Sequence, residues 1–208
     1  MKYKMIVLDV DGTLLNSDKI VTARMRASLI KVQQMGVNLV LASGRPTYGV
    51  LPLARELELD KNNGFILSYN GGQIINVQTG DLLFEKRINP EMIPYLERKV
   101  KKKGFDIFTY HKDTIYTNNA SSEHIIREAE LNNMHIREVE NFAEAVHFSP
   151  CKCMVVSDDE ETLVGLENHW RKRLAGELDV FRSETYFLEV VPPFIDKANT
   201  LSVLLEIL

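Results

Sequence analysis

Apolar and polar positions alternate in two periods along the first third of this chain. Met5-Ile6-Val7-Leu8 is a short apolar run of the kind that forms a buried strand. Met25, Leu29 and Val32 then recur at helical spacing, which predicts a helix capped by Thr22 and ended at Gly36. A second apolar run, 37–42, follows at once. Pro46 opens another helix with Leu53, Ala54 and Leu57 turned inward, and Phe65-Ile66-Leu67 gives a third strand. Strand, helix, strand, helix, strand predicts right-handed crossovers and a parallel sheet.

Beyond residue 72 the pattern changes character. Residues 73–77 and 82–88 read as strands joined around Gln78-Thr79-Gly80-Asp81, a hairpin rather than a crossover. Helices are predicted over 90–103 and 121–132, with strands at 105–110 and 114–117 between them. A strand at 151–156 leads to a helix through Trp170, with Ser157 and Glu160 at capping-box spacing. The fold class expected is therefore α/β, a doubly wound parallel-sheet (Rossmann-like) core with an inserted α+β domain. The expected division is 1–81 for the first part of the core, 82–181 for the insert and 182–208 for the return to the core.

Composition narrows the function classes. With 208 residues and 45% hydrophobic content, the chain can bury the core of one large or two small domains. A net charge of −4 offers no general attraction to nucleic acid or to anionic membranes, so neither is expected as a partner. No apolar stretch approaches the ~18 residues of a membrane span, and the amino terminus runs straight into strand without a signal region, so a cytoplasmic location is expected. Cys151 and Cys153 alternate along a strand and lack partners at zinc spacing, which points to buried or half-buried thiols.

The chemistry concentrates in Asp9-Val10-Asp11-Gly12-Thr13. Residues i and i+2 leave a strand on one face, so Asp9 and Asp11 are expected to point together into the crevice where open α/β sheets bind ligands. Such close like charges require a bound cation, a shared proton, or separate roles as nucleophile and acid. Gly12 permits a sharp turn, and Thr13 offers a hydroxyl and an amide.

This Asp-x-Asp-Gly-Thr after an amino-terminal apolar strand resembles the first motif of the haloacid dehalogenase-like hydrolases, mostly magnesium-dependent phosphatases. Ser43-Gly44-Arg45 after strand 37–42 resembles their second motif, in which a hydroxyl holds phosphate. Tyr69-Asn70-Gly71-Gly72 resembles a loop of the Cof-type sugar-phosphate phosphatases, and 187–192 followed by Ile195-Asp196-Lys197 resembles their approach to the third-motif lysine. The resemblance implies that Asp9 is the nucleophile, Asp11 the acid and base, kept partly protonated by its neighbours, and Lys197 the charge-balancing cation. It implies phosphate or substrate contacts from Thr13, Ser43, Gly44, Arg45 and Asn70, and Mg²⁺ on an Asp9 oxygen and the Asp11 carbonyl. It also implies that the insert is a cap over the active site. The family's fourth motif, an acidic Gly-Asp-x-x-Asn-Asp-like loop, does not occur in these 208 residues. The 208-residue chain is therefore expected to bind Mg²⁺ loosely unless other acids, such as Glu189 or Asp196, complete the shell.

The expected activity is hydrolysis of small phosphorylated metabolites through an aspartyl-phosphate, by a monomer or weak homodimer. Two other readings stay open: a phospho-acceptor signalling domain, and a non-catalytic protein that binds phosphoryl ligands.

Overall fold

A computed structural model describes residues 3–208. The chain forms two compact units, one comprising the residues up to Glu85 together with Asp196–Leu208, the other Lys86–Ile195. In the first unit, β1 (Met5–Asp9), β2 (Asn38–Ala42) and β3 (Phe65–Ser68) pair in parallel, connected through α1 (Ala23–Gln34) and α2 (Thr47–Glu56). The polar turn that follows β4 (Gln73–Asn76) reverses the chain, so β4 and β5 (Leu82–Glu85) extend the sheet antiparallel, in the order β1-β2-β3-β4-β5. The hairpin is thus present, attached to the core sheet. Its Asn76 side chain accepts from the amides of Gln78 and Thr79, the local competition that makes Asn a turn former.

The second unit is built from α3 (Ile93–Lys103), β6 (Asp106–His111), β7 (Thr114–Thr117), α4 (Glu123–Asn132), β8 (His135–Glu138), α5 (Phe142–Ala145), β9 (Cys153–Val156), α6 (Glu160–Arg173), β10 (Asp179–Glu184) and β11 (Phe187–Val191). Its six-stranded sheet runs β10-β11-β9-β6-β7-β8, antiparallel except for the β7/β8 pair. Ile93, Leu96, Phe142, Leu163 and Trp170 pack over Ile107, Cys153 and Leu188 to form its core. Neither cysteine forms a disulfide, and complete burial pushes the Cys153 thiol up to about 12, leaving it protonated and inert. Lys86 Nζ donates to the Pro193 carbonyl at 3.1 Å, joining the two ends of this unit.

The chain then returns to the first unit as α7 (Lys197–Ile207). Leu204 of α7 packs with Val40, Ala42, Phe65 and Leu67, while Leu39, Leu41 and Ile66 pack with Leu29, Val50 and Ala54 of α1 and α2. Both faces of the sheet are covered, which is why its strands read as continuous apolar runs.

Several expectations change in detail. The β1 run is half-buried rather than buried, with Val7 exposed, because β1 pairs only with β2 among the described strands. Met25 lies outside the α1 core face; Gln33 takes an inner position and donates to the Leu57 carbonyl at 2.8 Å, satisfying a group at the end of α2. Pro46 is the cap of α2, one residue before its first turn. The cap of α6 is Asp159, which accepts from the Thr162 amide, and Ser157 only accepts from Asp159. β5 belongs to the first sheet and β11 to the second, so the compact units divide at Glu85 and Ile195 instead of at 81 and 181. Strand alternation carries no label for the sheet it joins. Among the described residues no helix is long and apolar enough to cross a membrane.

A polar cluster lies inside the second unit. Lys152 Nζ is 3.2 Å from Glu189 Oε2 with both side chains almost fully buried, and Glu128 accepts from the Tyr110 hydroxyl and the Asn132 amide, each at 2.8 Å. Burial raises the Glu128 carboxyl above its ordinary 4.5, opposed by the charge of Lys152. A carboxyl raised in the folded state stabilises most fully below its unfolded pKa, and that contribution is lost as pH climbs through the folded value. Glu128→Gln, neutral at every pH, is therefore expected to unfold at higher temperature than the parent at pH 8 and at about the same temperature near pH 4. Thermal unfolding across that range checks it, and a variant less stable at pH 8 than at pH 4 relative to the parent contradicts it.

Candidate active site

Local structure at the end of β1 sets out the two carboxylates. Val10, fully buried, anchors the chain into the first core between two half-exposed aspartates. Asp11 is still extended (φ −83°, ψ 126°), and Gly12 then turns at φ +78°, a left-handed conformation that costs a glycine nothing. Leu14 and Leu15 dip back into the core, and the Leu15 amide closes the turn on the Val10 carbonyl at 3.0 Å.

Each carboxylate has its own cation. Lys197 Nζ sits 2.5 Å from Asp9 Oδ1, joining the first residue of α7 to the last of β1. A lysine there opposes the helix dipole, and Asp196 offsets this by capping α7 through the Asn199 amide at 2.8 Å. Arg45 grips Asp11 with two bonds, Nε to Oδ2 at 2.8 Å and Nη2 to Oδ1 at 2.7 Å, and Lys19 Nζ adds a third at 3.1 Å. Hydrogen bonding from Arg45 first, then from Lys19, holds the Asp11 carboxyl below its ordinary value against the opposing effect of burial. Asp11 is thus held ionised, not partly protonated; it neighbours two cations, and Asp9 has its own partner.

The second motif and the Tyr69–Gly71 turn are knitted together. The Ser43 amide donates to the Leu67 carbonyl at 2.8 Å, its hydroxyl accepts from the Arg45 amide at 3.1 Å, and its carbonyl accepts from the Asn70 amide at 3.0 Å. Tyr69 donates to the Arg45 carbonyl, also at 3.0 Å. A Cβ on Gly44 would lie 2.8 Å from Asn70 Oδ1, so a side chain there would push the Asn70 amide aside. Asn70 is thereby placed against Gly44, and Arg45, whose amide holds the Ser43 hydroxyl, against Asp11. Thr13 stays exposed and makes no side-chain hydrogen bond among the described residues.

Sequence reasoning passed over Lys19. Its signal is weak: the Asn16 side chain accepts from the amides of Asp18 and Ile20, an Asx-type turn that is legible in Asn16-Ser17-Asp18 but does not say where the next lysine points. Glu189 and Asp196, considered as further metal acids, have other duties, the first with Lys152 in the second unit and the second as the α7 cap.

Among the described residues no three His, Cys, Asp or Glu side chains gather as a metal cluster. The donors at the β1 end nevertheless fit magnesium in kind. It takes hard oxygens, commonly from one or two carboxylates, with water and substrate phosphate filling the shell, and the Asp9 carboxylate with the Asp11 backbone carbonyl are such oxygens.

Residues 6–208 match the family described as haloacid dehalogenase-like hydrolase. The chain belongs to that family. A haloacid dehalogenase-like hydrolase from Bacteroides thetaiotaomicron of known structure superposes with a TM-score of 0.94 at 47% identity, covering 98% of this chain and 76% of that one. M6_Spy0533 of Streptococcus pyogenes, named as a candidate phosphatase, is 27% identical over 97% of this chain and 74% of its own length. An HMP-PP phosphatase of Yersinia pseudotuberculosis is 25% identical over 96% of this chain and 70% of its own. The fold expected for this hydrolase, an α/β core with a Rossmann-like sheet, is the fold of those neighbours.

Arg45→Ala removes the two hydrogen bonds that do most to hold the Asp11 carboxyl down. The Asp11 carboxyl, followed by carbon NMR, is expected to titrate at higher pH in the variant than in the parent, moving back toward the ordinary aspartate range. An unchanged midpoint would assign the shift to Lys19 alone.

Proposed function

We propose that this hydrolase is a magnesium-dependent phosphatase that acts on small phosphate monoesters, sugar or cofactor phosphates, through an aspartyl-phosphate on Asp9. The observation that carries this reading is the Asp9 carboxylate at a strand end, held by Lys197 and next in line to a second carboxylate. The phosphatase names of the relatives support the reaction class.

In the first step an Asp9 oxygen attacks phosphorus in line as the ester P–O bond breaks, and the leaving alkoxide takes a proton from Asp11. Water then attacks the acyl-phosphate, Asp11 receives its proton, and inorganic phosphate leaves with Asp9 restored. Lys197 balances charge on the transferring oxygens, and the Ser43 hydroxyl with backbone amides of the second motif orients them. The Asp9 carboxylate and the Asp11 carbonyl would hold magnesium, which when bound would supply positive charge against the repulsion between a phosphate dianion and a carboxylate. Asp11 as held by Arg45 is ready for the second step, as a base. To serve as the acid it must first gain a proton, so the Arg45 and Lys19 contacts loosen when substrate phosphate draws on the same cations. The second unit serves as a cap that selects the ester and keeps bulk water from the first step.

Asp9→Asn is expected to abolish hydrolysis of p-nitrophenyl phosphate, because a carboxamide forms no acyl-phosphate. Turnover within a few-fold of the parent would remove Asp9 as nucleophile. Asp11→Asn loses acid–base assistance, ~10²–10⁴-fold, while still accumulating phosphoenzyme from esters with good leaving groups. Chelation by EDTA is expected to stop turnover and added Mg²⁺ to restore it; activity indifferent to both would remove the metal from the reaction.

A further inference from the structure

Asp9 and Lys197 stand 188 positions apart in the chain, so something other than local structure must hold the lysine in register. The first turn of α7 makes its contact with the core at the Tyr69–Gly71 turn. Thr200 is one helical turn beyond Lys197 and only 3% exposed, and its hydroxyl donates to the Gly71 carbonyl at 2.8 Å. The fit is tight from the other side as well. A Cβ on Gly71 would lie 2.6 Å from the Thr200 hydroxyl and 2.7 Å from the Asp196 carbonyl, and Gly71 already sits at φ +101°. Only glycine lets the helix start come this close. The same turn bonds to the second motif through Asn70 to the Ser43 carbonyl and Tyr69 to the Arg45 carbonyl.

We propose that Thr200 is a positioning residue, which, through its hydrogen bond to Gly71, locks the start of α7 onto the Tyr69–Gly71 turn and so sets Lys197 on Asp9 in register with Ser43 and Arg45. The inference rests on the reading of Asp9 and Lys197 as catalytic groups. Removing the hydroxyl leaves the Gly71 carbonyl short of a buried donor and frees the first turn of α7 to shift. Because a displacement of ~1 Å in a catalytic group costs up to ~10²-fold in rate, the loss falls on turnover.

The test compares Thr200→Val, which keeps the shape and removes the hydroxyl, with Thr200→Ser, which keeps the hydroxyl, and with Lys197→Ala. Thr200→Val is expected to lower kcat on p-nitrophenyl phosphate by ~10- to 10²-fold with KM changed less than threefold, and Thr200→Ser to restore most of it. The ammonium ¹⁵N–¹H signal of Lys197, recorded on the whole protein without substrate, is expected to be sharp in the parent and in Thr200→Ser and to broaden beyond detection in Thr200→Val. Parent-like kcat and an unbroadened lysine signal in Thr200→Val overturn the proposal, as does a Thr200→Ser variant no better than valine. If Lys197→Ala keeps parent turnover, the catalytic reading of Lys197 fails, and the lysine signal alone then decides whether Thr200 positions it.

Discussion

The contact on which the first unit depends is the ion pair between Lys197 and Asp9, because it closes the chain upon itself after an excursion through an entire second unit. Neither partner is well placed without the other. Asp9 stands next to a second carboxylate, and Lys197 stands at the positive end of a helix, so each arrives in a position that its own surroundings disfavour. Their meeting relieves both, and the relief is available only when α7 lies against the sheet with Leu204 among Val40, Phe65 and Leu67. The same helix thus covers the second sheet face and brings the lysine to the site.

Arg45 applies the same logic a few ångströms away. A guanidinium fork on Asp11 fixes that carboxylate's rotamer and charge before any ligand arrives, and the Ser43 hydroxyl is fixed in turn by the Arg45 amide. Two cations held in place beside a strand end need little rearrangement to meet an anion.

Much of this was legible in the sequence where period and chemistry coincide. The strands at 37–42 and 65–67 announce themselves because both sheet faces are covered, and the Thr22 cap does so because its hydroxyl accepts from Met25. Asp9 and Asp11 stood out through residue type beside an apolar run, whereas Ser43 and Lys197 stood out only through the resemblance to the haloacid dehalogenase-like hydrolases. What escaped is settled by tertiary contact. Gln33 inside α1 answers an orphan carbonyl of α2, Lys19 reaches Asp11 from an ordinary polar turn, and β10 was passed over because its run of Asp179–Glu184 is too mixed to declare a strand. The pairing of β11 with β9 and β10 was equally invisible, since an apolar strand carries no mark of the sheet that receives it.

The clasp between Lys86 and Pro193 bears on how such a protein comes to exist. A long insertion between two elements of a folded core opposes folding through loop closure, by ~0.6 kcal/mol for each doubling of loop length. A segment that folds on itself and brings its own two ends together spares the host that entropy, since the host then sees only a short, pre-closed connection. Lys86 and Pro193 provide such a closure at the neck of the second unit, with the paired strands β10 and β11 just behind it. A neck of this kind makes the unit portable: the sequence inside can be rewritten, lengthened or exchanged over evolutionary time without disturbing the carboxylates and lysine of the host, provided the Lys86 and Pro193 segments still meet.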